Sequence, residues 1–314
     1  MIGVRAQERL AKIVVWAAGL VTVLLLVLII GYILVQGMGR LSLSFLLENP
    51  CRMGAEGGIL SPLVGTLYFT VLTILLAAPV GVGAAVFLTE FTRPGPLVRS
   101  IRFATDALAG IPSIVIGLFG FAFFVILLRP YTGGWSLLSG ALTAFCMILP
   151  TIVRTSEEAI SAVPDSYREG SLALGVSRWQ TVVWVVLPGA LPGILTGILL
   201  SVGRVVGETA PLLLTLGGSL LLPQTIFDPA RTLSMHLYLV AMETGHFPAA
   251  FATGAVLVLL ILVLNILSYA LVRHLIRRAG GGTSGGIAGF FGLKAGDRFS
   301  KANLLYSRHR VSKT

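Results

Sequence analysis

The sequence has little charge, few cysteines and few lysines, and each scarcity excludes a class of protein. Only 11% of its 314 residues are charged and 55% are hydrophobic, whereas a soluble domain has about 25% charged residues. A water-soluble fold could not hide this much apolar surface, so the composition indicates a protein whose solvent is lipid. The two cysteines, Cys51 and Cys146, form no CxxC pattern, and we therefore expect no disulfide framework.

The few lysines and histidines argue against ATP hydrolysis and metal binding by this chain. A P-loop needs the sequence Gly-Lys-Ser/Thr, but the four lysines follow Ala11, Leu293, Ser300 and Ser312. The four histidines show no metal-ligand spacing. We therefore predict a protein that is not an enzyme and has no catalytic residues, metal ligands or cofactor.

Long uncharged runs predict an all-α, polytopic membrane protein with about six transmembrane helices. A helix needs roughly 20 apolar residues to cross the hydrocarbon core, and only helices or closed barrels satisfy backbone polar groups in lipid. The first run is too long for a signal peptide, which favours a retained helix. The runs cover 13–39, 57–89, 107–128, 130–153, a stretch from near Pro188 that Arg204 and Glu208 interrupt, and 247–272.

The net charge of +10 fits membrane topology better than nucleic-acid binding, because the basic residues lie between and after the apolar runs. With a cytoplasmic N-terminus, eighteen of the 23 Lys and Arg residues fall on the inside, four fall outside, and Arg204 lies within a helix. The positive-inside rule then predicts that both termini are cytoplasmic. The predicted regions are a cytoplasmic N-terminus (1–12), a transmembrane domain (13–274) and a flexible basic cytoplasmic tail (275–314).

The loop 157–188, predicted to be cytoplasmic, carries the signals of two helices joined by a turn. Asp165 is a candidate N-cap, and Gly175 can end the first helix in a left-handed conformation. Ser177 can cap a second helix, which Pro188 is expected to stop or bend.

The same loop resembles the EAA motif of ABC importer permeases, which reads Glu-Ala-Ala, three residues, Gly, nine residues, Ile, one residue, Leu-Pro. Gly170, Ser171 and Val185 are conservative departures from that pattern. The resemblance implies a coupling helix that docks into a groove of a separate ATPase subunit. The residues that it assigns to ATPase coupling are Glu169, Gly170, Ser171, Gly175, Leu187 and Pro188.

Arg204 and Glu208 form a charged pair within an apolar run, where an exposed charge costs roughly 2.5–3.5 kcal/mol on insertion scales. A spacing of four predicts that both lie on one helical face, together with the small residues Gly193, Gly197 and Ser201. Small residues admit a neighbouring helix or leave room for a solute. The pair is therefore either a structural ion pair or an oxyanion site.

Two longer strings, GETAPLLLT (207–215) and DALAGIPSIVIGL (106–118), resemble the PstA family of phosphate importer permeases. The resemblance implies that Arg204 and Arg154 take part in phosphate passage, with Glu208 beside Arg204. For Arg154 the residues alone favour a solvated ion-pair cluster with Glu157 and Glu158 at helical spacing. Asp106 is expected to open the third helix, where it would cap the helix or pair with Arg102.

The resemblance implies that this chain forms half of a translocation pathway in the inner membrane of a bacterium. The implied partners are a PstC-like second permease, PstB-like ATP-binding subunits, a PstS-like extracytoplasmic phosphate-binding protein, inorganic phosphate and membrane lipid. The alternatives are an ABC permease for another oxyanion, such as molybdate or sulfate, and an ion-coupled secondary transporter, which usually has internal repeats.

Overall fold

The computed structural model describes residues 4–93 and 95–278, so the predicted tail lies outside the described residues from 279 onward. The described part is almost entirely helical, which confirms the all-α prediction. Three of its helices continue into the π-helical turns Phe87–Phe91, Phe121–Leu127 and Val182–Val186. The helices are α1 (Val4–Met38), α2 (Leu43–Leu47), α3 (Leu60–Val86), α4 (Pro96–Ala109), α5 (Ser113–Gly120), α6 (Arg129–Thr132), α7 (Leu137–Ser161), α8 (Asp165–Ala173), α9 (Arg178–Thr181), α10 (Leu187–Gly207), α11 (Ala210–Thr215), α12 (Leu233–Met242) and α13 (Phe247–Arg278).

A short hairpin interrupts the helices between α2 and α3. Strands β1 (Pro50–Cys51) and β2 (Glu56–Gly57) pair antiparallel, with Cys51 opposite Glu56. The 3₁₀ turn Arg52–Gly54 joins them, and both Arg52 (φ 45°) and Met53 (φ 62°) have positive φ values.

Five helical segments are long and apolar enough to cross a membrane, and a bent pair supplies a sixth crossing if it counts as one. The pair consists of Pro96–Ala109 and Ser113–Leu127, and the helix axis bends by 102° between them. This count confirms the prediction of about six. The five single segments are Ala11–Met38, Leu60–Phe91, Leu137–Ser161, Arg178–Gly207 and Phe247–Ala270.

The predicted bounds of the third and fourth helices were wrong. The apolar run 107–128 spans the bend, because hydrophobicity reports burial in lipid and not the direction of the chain. The fourth helix begins at Leu137, where the Ser136 hydroxyl accepts a hydrogen bond from the backbone N–H of Ser139. It ends at Ser161, whereas the run 130–153 begins within the separate turn α6, which Gly133 ends at φ +78°.

Around the loop 157–188 the predicted turn is confirmed and the predicted caps are corrected in part. Gly175 has φ +82°, and Ser177 and Gln180 form a capping box at the start of α9. Pro164, not Asp165, holds the cap position of α8, because the Asp165 carboxylate accepts from the Arg168 side chain instead of a backbone N–H. Pro188 does not stop the helix, since the π-helical turn before it carries α9 into α10.

The core lies where α3, α7 and α10 pack together. Phe69, Ile148, Ile152 and Val205 are buried in one cluster of these helices. A Cβ placed on Gly81 of α3 would lie 2.7 Å from Ile152 Cγ2, so the absent side chain sets how closely α3 approaches α7. Because lipid is as apolar as these side chains, close packing rather than removal from water holds such helices together.

Candidate functional site

Arg204 and Glu208 lie together at the end of α10, on the same side of the helix, as their spacing of four predicts. The helix ends at Gly207, and Glu208 is its C-cap residue with an extended backbone (φ −73°, ψ 138°). Arg204 Nε lies 3.6 Å from Glu208 Oε1, which is an ion pair too long for a hydrogen bond. The Arg204 side chain is 39% exposed and that of Glu208 is 16% exposed.

The small residues of α10 form its contact with α7 and leave no room for a solute there. A Cβ on Gly193 would lie 2.5 Å from Ala159 Cβ, and one on Gly197 would collide with the Thr155 side chain. Ser201 is buried and donates to the Gly197 carbonyl at 3.0 Å. The stripe is therefore a helix–helix interface beside Arg204.

Arg154 belongs to an exposed network of ion pairs, with partners that differ in part from those predicted. Its Nη1 lies 2.8 Å from Asp106 Oδ1, and its Nε lies 3.5 Å from Glu158 Oε1. Glu157 pairs instead with Arg102. Asp106 lies within α4 and does not open a helix, so the predicted cap and the predicted pairing with Arg102 were both wrong.

A cavity of about 310 Å³ lies between α4 and α7 and is lined by this network. Two guanidinium groups and three carboxylates contribute to its wall. The acidic groups outnumber the basic ones, and Arg154 already donates to Asp106 at 2.8 Å. The cavity is therefore poorly suited to hold an anion.

The two candidate arginines lie at different depths along the bundle. Ala159 faces Gly193 and Thr155 faces Gly197, so α7 and α10 run antiparallel at this contact. Arg204 lies seven residues beyond Gly197, or roughly 10 Å at 1.5 Å per residue. The structure thus places Arg154 and Arg204 at separate levels rather than in one site.

The residues of the EAA-like pattern divide into a surface group and a packing group. Glu169, Gly170 and Pro188 are exposed, and no atom lies within 4 Å of a Cβ placed on Gly170. Ser171 is buried, and its hydroxyl lies 3.0 Å from that of Thr181, which ties α8 to α9. Leu187 packs partly buried against the core beneath.

Exposed aromatic and aliphatic side chains lie beside this surface group. Leu174 is 84% exposed and Trp184 is 75% exposed. A groove of about 590 Å³ runs among them, between α8 and the start of the segment Arg178–Gly207. Exposed apolar side chains rimmed by polar ones mark contact surfaces. The lining of this groove includes Tyr167, Gly170, Leu174, Val176, Gln180 and Trp184.

Sequence reasoning missed two charged residues next to this surface, Arg168 and Glu90. Arg168 Nη2 lies 2.8 Å from Glu90 Oε1, and the side chains are only 18% and 9% exposed. Glu90 is the first charged residue after the second apolar run, and a charge at such a boundary was the available signal. Nothing in the sequence pairs it with a residue 78 positions away.

Comparison with known proteins assigns the chain to a family. A family model described as "Binding-protein-dependent transport system inner membrane component" matches residues 77–281. The chain belongs to this family. It is therefore a multi-pass permease subunit of an ABC importer in the inner membrane.

Individual relatives of the permease agree with this assignment. A probable ABC transporter permease of Bacillus subtilis, YqgI, is 38% identical over 260 residues, covering 77% of this chain and 87% of that protein. The phosphate transport system permease PstA of Haemophilus influenzae is 32% identical over 244 residues, covering 77% and 85%. A bacterial alginate ABC transporter, solved with its alginate-bound periplasmic protein, shares the fold at a TM-score of 0.63 with 14% identity, covering 87% and 98%.

As a subunit of such an importer, the permease works with a second permease, ATPase subunits and a periplasmic binding protein. ATP hydrolysis resides in the separate ATPase subunits. Membership in the family also favours the ATP-driven importer over the ion-coupled transporter that the sequence left open.

Proposed function

We propose that the chain is the PstA-like subunit of a phosphate importer and forms half of its passage with a PstC-like permease. The observation that carries the substrate is similarity to PstA proteins over most of the chain, at 32% identity to the Haemophilus influenzae protein and 37% to PstA 1 of Mycobacterium tuberculosis. The further partners are PstB-like ATPases and a PstS-like phosphate-binding protein.

Arg204 is the better placed of the two arginines to attract phosphate. Within the described residues its guanidinium donates no hydrogen bond shorter than 3.5 Å to the protein, which leaves its donors available for oxyanion oxygens. Glu208, 3.6 Å away, can accept a hydrogen bond from a protonated phosphate oxygen. Fully deprotonated sulfate has no such donor, so the pair favours phosphate. Arg154 is the weaker candidate because Asp106 and Glu158 already hold it.

The proposed cycle is alternating access driven from the α8–α9 surface. The loaded binding protein docks on the outside, ATP binding opens the passage outward, and hydrolysis resets it. Glu169 and Gly170 would enter the groove of the ATPase, while Ser171, Gly175, Leu187 and Pro188 shape and support that surface. This cycle requires α8 to be cytoplasmic, in agreement with the excess of Lys and Arg on that side.

The test of the passage is Arg204→Gln in the reconstituted four-component transporter. A lost charge-assisted hydrogen bond is worth about 1.5–3 kcal/mol, so ATP-dependent uptake of radiolabelled phosphate should fall roughly 10- to 150-fold. Lys12→Gln is the matched control, since it removes an exposed cation that pairs only with Glu8 at 2.7 Å within the described residues.

Unchanged uptake by the Arg204→Gln transporter would contradict the role of Arg204, and failed assembly would indicate a bracing role. Competition assays address the substrate itself. If unlabelled molybdate or sulfate competes better than phosphate in the unmodified transporter, the chain serves another oxyanion.

A further inference from the structure

The side chain of Arg168 is held by more partners than any other arginine that the structure describes. Its Nε and Nη2 donate to Glu90 Oε1 at 3.1 and 2.8 Å. Its second Nη2 hydrogen serves the Ile160 carbonyl at 2.9 Å, and Nη1 serves the Val163 carbonyl at 2.6 Å and Asp165 Oδ1 at 3.0 Å. A guanidinium has five N–H donors, so all five are used.

These partners come from three different elements. Arg168 and Asp165 lie in α8, and Glu90 lies in the π-helical turn at the end of the second span. Ile160 lies in the last turn of α7, and Val163 lies just beyond that helix. Carbonyls at a helix C-terminus lack intrahelical partners, and the negative end of the helix dipole attracts a cation there. One side chain therefore fastens α8 to the ends of both α3 and α7.

A second contact joins the same pair of segments. The ring of Phe91, next to Glu90, lies 6.0 Å from that of Trp179 in α9. The helical pair α8–α9 thus touches the end of the second span through a buried ion pair and through an aromatic pair. Arg168 has no other described carboxylate within ion-pair distance besides Glu90 and Asp165.

Arg168 and its neighbour Glu169 face different surroundings, so together they connect the surface of α8 to the helices beneath it. Glu169 is exposed on the surface assigned above to the ATPase, while the Arg168 side chain is only 18% exposed and contacts Glu90. A displacement of α8 by a docked subunit must either carry the ends of α3 and α7 with it or break the four hydrogen bonds that Arg168 donates outside α8. Those two helices form the most extensive helix contact in the described chain.

We propose that Arg168 and Glu90 are positioning residues that transmit movement of the coupling helix to α3 and α7. This inference rests on the proposed docking of the ATPase at α8, but not on the identity of the transported oxyanion. Neither residue touches the substrate or the nucleotide in the proposed cycle. Their loss should therefore separate ATP hydrolysis from transport.

The experiment compares Arg168→Lys, Glu90→Gln and the double variant in the reconstituted transporter. Lysine keeps the charge but has three donors in a tetrahedral head group, so it cannot serve the planar set of acceptors. The quantity to be measured is the ratio of phosphate transported to ATP hydrolysed, for each assembled complex. The expected result is near-normal basal hydrolysis with the ratio of phosphate to ATP reduced about fivefold or more, and no further loss in the double variant because the residues act as one unit.

Glu8→Gln is the matched control, because it removes a carboxylate from the exposed ion pair with Lys12 and should leave the ratio unchanged. The proposal is overturned if the ratio in the Arg168 and Glu90 variants stays normal, or if none of them assembles, which would show that the pair only holds the fold. If the unmodified transporter moves another oxyanion instead of phosphate, the ratio is measured with that oxyanion. The substrate assignment then fails while the test of Arg168 stands.

Discussion

Replacing Gly197 by alanine should push α7 and α10 apart, although the same replacement is normally favourable in a helix. The new Cβ would lie 2.6 Å from Thr155 Cβ and still closer to its Oγ1, whereas carbon atoms pack best at about 3.5–4.0 Å. The helices would therefore have to separate by roughly 1 Å at this contact.

The magnitude follows from two opposing contributions. Overpacking a close contact typically costs about 1–3 kcal/mol, and replacing a helical glycine by alanine returns about 0.5–1 kcal/mol. Gly197→Ala should therefore destabilise the permease by up to about 2.5 kcal/mol. Gly203→Ala is the matched control, because it lies in the same helix with no atom within 4 Å of its Cβ, and it should be neutral or stabilising.

The assay is the thermal midpoint of the detergent-solubilised transporter, followed as the fraction that remains assembled. Thr155→Gly should restore part of the loss, since it removes the colliding side chain. Within the described part of the chain the Thr155 hydroxyl donates only to carbonyls of its own helix, at 2.8 and 3.3 Å. Equal midpoints for the Gly197 and Gly203 variants would refute the close approach of α7 and α10.

Two further predictions concern local backbone geometry. Gly54→Ala should lower the free energy of unfolding by about 1–3 kcal/mol, because Gly54 has φ +96° and a Cβ there would lie 2.5 Å from His236 Cε1. The 50–57 hairpin should then be cut faster in limited proteolysis, and an unchanged rate of cleavage would contradict this. Ser177→Ala should cost about 0.5–2 kcal/mol and speed amide hydrogen exchange at Gln180, whose N–H the Ser177 hydroxyl accepts at 3.3 Å, whereas Ser177→Asp should retain the slow exchange.

The features predictable from sequence were those governed by neighbouring residues or by the lipid solvent. Gly175 and Ser177 shape the backbone within a few positions of themselves, so their roles could be read directly. Six apolar runs agree with the five single spans and the bent pair of the structure, because a crossing of the lipid core requires a minimum length of apolar sequence. The predicted roles of Arg154, Arg204 and the EAA-like residues in transport stay predictions.

Features that depend on distant residues or on chain direction were not predictable in the same way. The run 107–128 hid the bend before Ser113, because the break-forming residues Gly110 and Pro112 are themselves uncharged. The spacing of four correctly brought Arg204 and Glu208 together, but it did not reveal that the helix ends at Gly207, with Glu208 as its C-cap. The pairing of Arg168 with Glu90 required the packed fold.

The elbow between α4 and α5 decides how often the chain traverses the bilayer, and with it the side on which the chain ends. Ser113–Leu127 is about 22 Å long at 1.5 Å per residue, shorter than the ~30 Å hydrocarbon core. Counted as a crossing, it gives an even number, so the chain returns to the compartment from which it started. Whether the start of α1 and the end of α13 share a compartment therefore depends on this single bend between α4 and α5.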